Sequence, residues 1–144
     1  MKPSTIIGIL LSVTVMLVPA THGTVECSRD EREVLALLAE RLGAKTEVVL
    51  WDRSRADLVL PDAGQIVEVD WIDHWAEGIG QALWYEVASG LDGMLYLVVP
   101  AEWSGQPERW RPHAYRALAA AARAHLRVHL WMLHPDGRLT RLAP

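Results

Sequence analysis

The sequence contains no phenylalanine and a single cysteine, Cys27. A lone thiol excludes an internal disulfide and any zinc site built on paired cysteines. Lysine is almost as scarce, with only Lys2 and Lys45, and fourteen Lys and Arg stand against eighteen Asp and Glu. The net charge of −4 gives no global attraction for nucleic acid or an anionic membrane, so a phosphate-bearing partner must be met by a local arginine patch or a bound cation. Internal repeats, low-complexity tracts and linkers are lacking as well, which leaves one domain. Seven Trp supply the aromatic mass in place of Phe, a preference for which the sequence offers no physical reason.

The longest apolar run lies at the N-terminus. Lys2 precedes "TIIGILLSVTVMLVPA" and then small residues suited to cleavage after Ala20 or Gly23, the pattern of a secretory signal peptide over 1–23. The run falls short of the ~20 residues that span a bilayer comfortably. "TVEC" lacks the apolar residue expected three positions before a lipidated cysteine. The expectation is therefore an exported protein, periplasmic or secreted, without stable membrane insertion after cleavage, whose single domain covers 24–144. Cleavage removes one basic and no acidic residue, making the charge one unit more negative.

"SRDEREVLALLAERL" (28–42) predicts an amphipathic helix capped by Ser28 and stopped by Gly43. Strands are predicted over 46–51, 56–60 and 66–71, broken by "DRSR" and "PDAGQ" into an antiparallel meander. Asp73 can cap a second helix that ends at Gly90, and the all-apolar "MLYLVVP" (94–100) follows as a strand buried on both faces. A third helix spans about 107–125, with Pro112 as a late start, before a last long strand over 126–133 and a short "RLTRL". Two helix-to-strand crossovers in the second half require a mixed central sheet flanked by helices, an α/β fold.

Glu68 and Asp70 stand two apart in "IVEVDW" and so share one face of the strand. Alternation of this kind ordinarily means a water-facing side. Two placements argue otherwise. The short "PDAGQ" turn brings Asp57 beside Glu68, and Glu31 points in the direction of the apolar residues 34, 35, 37, 38 and 42, whereas Glu33 and Glu40 point away. Grouped carboxylates repel, raise one another's pKa, and are tolerated chiefly when they share a cation. Hard oxygen ligands suit Mg²⁺ or Mn²⁺, and the chemistry implied is hydrolysis of a phosphodiester.

"RADLVLPDAGQIVEVD" resembles the core of the PD-(D/E)xK nuclease superfamily, with Asp on one hairpin strand and Glu-x-Lys on the next. "ERE" at 31–33 is similar to the helix start that supplies a further Glu in several branches. "QALWY" at 81–85 fits a Gln-x-x-x-Tyr pattern on the next helix. The likeness covers about residues 28–133 and implies a restriction-endonuclease-like α-β-β-β-α-β core. It further implies a metal held by Asp57 and Glu68, with the Val69 carbonyl as a third ligand and Glu31 as an outer one, and Gln81 and Tyr85 supporting the site or meeting nucleic acid, with DNA the expected substrate. Gly78 and Gly80 would let that helix approach the sheet or a phosphate closely. The family lysine is replaced by Asp70, and His74 stands where a displaced lysine occurs in some relatives. The expected catalytic set is accordingly Asp57, Glu68, Asp70 and His74. The alternative is a catalytically degenerate binding module on the same scaffold.

Other motifs are weaker. His125, His129 and His134 fall on a helix end, a strand and a turn, so a shared ligand face is not expected. No serine has a nucleophile-elbow context. Arg109, Arg111, Arg116, Arg123 and Arg127, with Trp103 and Trp110 nearby, form a basic region read either as a solvated helix face or as a surface for phosphates.

Overall fold

Asp30 starts the first helix. Its Oδ1 accepts the N–H groups of Arg32 (3.0 Å) and Glu33 (3.4 Å), two donors that a helix N-terminus otherwise leaves without partners, and α1 runs over Glu31–Leu42 to a left-handed Gly43. The cap thus falls two residues later than the expected Ser28. Ser28, Cys27 and the predicted signal peptide lie outside the residues that the computed structural model describes, 30–143.

The expected meander follows as β1 (Lys45–Val49), β2 (Arg55–Leu60) and β3 (Gln65–Trp71), antiparallel throughout. Ile72–His74 forms a 3₁₀ turn, so α2 occupies Trp75–Ser89 with His74, and not Asp73, at the N-cap position. β4 (Asp92–Val99) lies parallel to β3 and is buried from Gly93 onward, as its unbroken apolar sequence predicts. α3 (Pro107–Arg123) starts at Pro107, whose fixed φ and missing N–H suit a first turn, and continues through Pro112, which is not a late start. β5 (Arg127–Leu133) pairs parallel to β4, and β6 (Leu139–Arg141) closes the order antiparallel to β5.

Among the described residues these strands make one open mixed sheet in the order β1-β2-β3-β4-β5-β6, with helices on both sides. The chain is α/β, as expected. Alternate residues of β4 serve the two cores. Met94, Tyr96 and Val98 pack with Val34, Leu35 and Leu38 of α1, while Leu95, Leu97 and Val99 pack with Ala82 of α2 and Ala114, Ala117 and Ala121 of α3. Leu95 is fully buried, and truncation of such a side chain to alanine costs about 2–5 kcal/mol. No helix among the described residues is long and apolar enough to cross a membrane.

Candidate active site

The period-two pleat decides which residues of β3 meet α2. Val67, Val69 and Trp71 join the core under α1; Glu68 and Asp70, in register with Leu95 and Leu97 of β4, face the side that α2 covers. Gly78 permits the approach of that helix. A Cβ there would lie 2.8 Å from Leu95 Cδ1 and 3.3 Å from Asp70 Cβ, whereas one at Gly80 would meet nothing within 4 Å. Close approach, expected of both glycines, therefore holds only for Gly78.

β2 and β3 pair regularly only from Leu58–Val67 to Leu60–Gln65. Beyond that point the Val69 N–H donates to Asp57 Oδ2 at 2.8 Å, a side-chain carboxylate taking the place of a backbone carbonyl. Asp57 is thereby held beside Glu68, close enough for its charge to raise the Glu68 pKa. On β1, Glu47 has a left-handed φ of 50°, an unusual backbone state for a non-glycine residue. Its carboxylate adds negative charge near Asp57.

Asp57, Glu68, Asp70, His74, Gln81 and Tyr85 line one open cavity of about 340 Å³, and Glu31 stands at its mouth. All seven sequence-predicted site residues thus border the same space. Glu31 itself is exposed on the first turn of α1, and it reaches the site through its charge, which raises the pKa of both Asp57 and Asp70. Among the described residues no group of three or more His, Cys, Asp or Glu side chains is arranged to hold a metal ion. A closed protein cage is therefore absent, and the grouping is two carboxyls in contact with further acids at the rim.

Among the described residues Glu68 is the one charged residue that is buried, 6% exposed, and its Oε2 has no hydrogen-bond partner. Burial, then the neighbouring Asp57 and Asp70, push its carboxyl up to about 9. With its pKa so raised, the Glu68 carboxyl favours the neutral, protonated form at neutral pH. Burial raises Asp57 as well, against the lowering effect of the Val69 amide. Asp70 is pushed up to about 6, mainly by burial and by the charges of Glu31 and Glu77, while the Trp71 amide and His74 oppose the rise. Its Oδ1 lies 3.4 Å from His74 Nδ1.

No protein-family model, curated protein or solved structure matches this chain. What the site can do is therefore argued from its own chemistry.

Tyr85 donates to the Arg55 carbonyl at 2.7 Å, tying α2 to the strand that carries Asp57, and burial together with the nearby carboxylates keeps its hydroxyl protonated. Two cavity residues were not anticipated. Among the described residues Arg55 is the only arginine or lysine that lines the cavity, and Glu77 is a further acid on α2. The period-two rule could have found Arg55, two residues before Asp57, and helical spacing could have found Glu77, between His74 and Gln81. Lys45, at the exposed start of β1, is not among the lining residues. The three C-terminal histidines are dispersed as expected. His125 follows α3 with a left-handed φ of 57°, His129 stacks on Tyr96 and His134 bonds to the Thr140 hydroxyl.

Proposed function

We propose that this protein is a divalent-cation-dependent nuclease of the PD-(D/E)xK kind that hydrolyses phosphodiester bonds, with DNA as substrate, and that it acts after export. The carrying observation is the buried Glu68 carboxyl, its Oε2 unpartnered, beside Asp57 in an open polar cavity. A buried carboxyl beside a second acid is costly unless something compensates it. Mg²⁺ or Mn²⁺ meets that need with this donor set, because such ions are commonly held by one or two carboxylates with water and substrate phosphates completing the shell. Asp57 and Glu68 would hold the cation, with Glu31 acting from the mouth as an outer acid. When bound, the cation supplies charge stabilisation at the phosphate and a more acidic water.

The remaining roles belong to the chain's own side chains. Asp70, its carboxyl close to neutral operating conditions and beside His74, is placed to accept a proton from an attacking water. Arg55 offers a permanent positive charge at the lining, in the absence of the family lysine. Gln81, one turn before Tyr85 on the same face of α2, is placed to meet the nucleic-acid backbone. Tyr85 positions β2 through its bond to the Arg55 carbonyl.

Incubation of the purified protein with linear and circular DNA and Mg²⁺ or Mn²⁺ tests this reading. Cleavage that Glu68→Gln abolishes, by at least about 10²-fold as expected for loss of a group stabilising developing charge, is the expected result. DNA left intact with both ions across pH 6–9 contradicts it. One observation favours a second reading, a binding module with a disabled site: an aspartate, Asp70, stands where the family has its lysine. Intact DNA that nonetheless remains bound would select it.

A further inference from the structure

Outside the cavity, the most strongly charged surface among the described residues belongs to α3. It carries Arg109, Arg111, Arg116 and Arg123 against a single acid, Glu108. All four arginines are exposed, and none forms an ion pair with a described carboxylate. In a protein of net charge −4 the acids were available to neutralise them and are placed elsewhere. At about 100° per residue the four spread over the outward half of the helix, opposite the buried Ala114, Ala117 and Ala121, with Tyr115, 71% exposed, on the same half. Two guanidinium groups are pre-set by stacking, Arg109 over Trp103 at 4.6 Å and Arg111 over Trp110 at 5.7 Å. A planar fork fixed in this way loses little freedom when it binds phosphate oxygens.

We infer that the exposed face of α3 binds the phosphate backbone of nucleic acid and delivers it to the cavity. The position supports the pairing: α3 packs on the Ile72–His74 turn, which carries His74 to the cavity, and Trp110 and Trp75 share one apolar cluster beneath it. The turn that α3 packs on is thus the one that ends in the cavity-lining His74. An anionic membrane is the poorer occupant. The apolar stripe of α3, Ala114, Ala117 and Ala121, is already spent on the sheet, and Tyr115 is the one large apolar side chain α3 leaves exposed. The inference rests on the nuclease reading for its choice of nucleic acid as polyanion, but binding here needs neither cation nor cleavage.

The test measures fluorescence anisotropy of a labelled 20-base-pair DNA with the Glu68→Gln protein in EDTA, over a series of KCl concentrations. The combined variant Arg111→Gln/Arg116→Gln/Arg123→Gln is expected to bind at least tenfold more weakly. It should also lose about 0.9 from the slope of log K against log salt for each phosphate contact removed. Arg→Lys at the same three positions should keep most of the slope. The variant Arg53→Gln/Arg138→Gln/Arg141→Gln changes the net charge equally at other exposed sites and should leave binding within about twofold, because only local contacts release counterions. No DNA binding at low salt, an unchanged slope in the α3 variant, or an equal loss in the control variant overturns the inference. So does an α3 variant that loses only binding to vesicles containing phosphatidylglycerol. DNA binding that depends on α3, without any cleavage by the unmodified protein in Mg²⁺ or Mn²⁺, would sink the nuclease reading and leave this one standing.

Discussion

Glu68 stores free energy against the fold. Its carboxyl is pushed from the ordinary 4.5 up to about 9, so between those values the native protein holds a proton that the unfolded chain has released. Stability from this group is fully present below the ordinary value, declines as pH rises, and is gone above about 9. The slope for one proton reaches at most about 1.4 kcal/mol per pH unit. Denaturant unfolding of the cation-free protein at a series of pH values should therefore show stability falling from pH 5 to pH 9. Glu68→Gln, neutral at every pH, should flatten most of that fall and unfold at higher denaturant than the unmodified protein at pH 8, although it is expected to be inactive. A stability profile that rises over the same range, or a Glu68→Gln variant with an unchanged slope, would place the proton elsewhere. The raised value of Asp70 gives a smaller fall of the same sign up to about pH 6.

α2 converts helix geometry into a site. Gly78 and Gly80 are two apart and so point to nearly opposite sides of the helix; only Gly78 faces the sheet. Gly78→Ala sets a methyl group against Leu95 and the Asp70 side chain, which overpacks the contact by about 1–3 kcal/mol and outweighs the ~1 kcal/mol that alanine gains in helix propensity. Gly80→Ala meets nothing and should stabilise by about 1 kcal/mol. Urea denaturation of the two variants is expected to give opposite signs, and equal signs would mean that α2 does not press on Asp70. This asymmetry was open to sequence reasoning through the helical period and was missed. The convergence of Asp57 and Glu68 was legible because a short turn leaves little freedom in which faces meet across a hairpin. The true start of α2 was not legible: Asp73 has the chemistry of a cap, but Ile72, fully buried, draws the chain into a 3₁₀ turn first. Likewise Asp30 and Ser28 are both good capping residues, and nothing in composition chooses between them.

Taken as a whole molecule, the protein separates its charges. Among the described residues, acids gather where β2 and β3 part, and arginines without a carboxylate partner gather on α3, which packs on the turn that ends in His74. Alternating polarity and apolar runs announced the α/β sheet; the charge separation depends on where α3 lands, which no local pattern encodes. Arg55, by contrast, was open to the period-two rule, and the packing of α2 on β2 completes its place at the lining.

A divalent cation held by Asp57 and Glu68 should displace the proton that Glu68 keeps at neutral pH. Isothermal titration calorimetry with Mn²⁺ at pH 7.5, in two buffers of different ionisation enthalpy, reads that exchange directly. The account predicts release of about one proton per cation bound, since ligands must deprotonate on binding, and loss of both binding and release in Glu68→Gln. Absence of binding, binding without proton release, or equal binding by Glu68→Gln would contradict it.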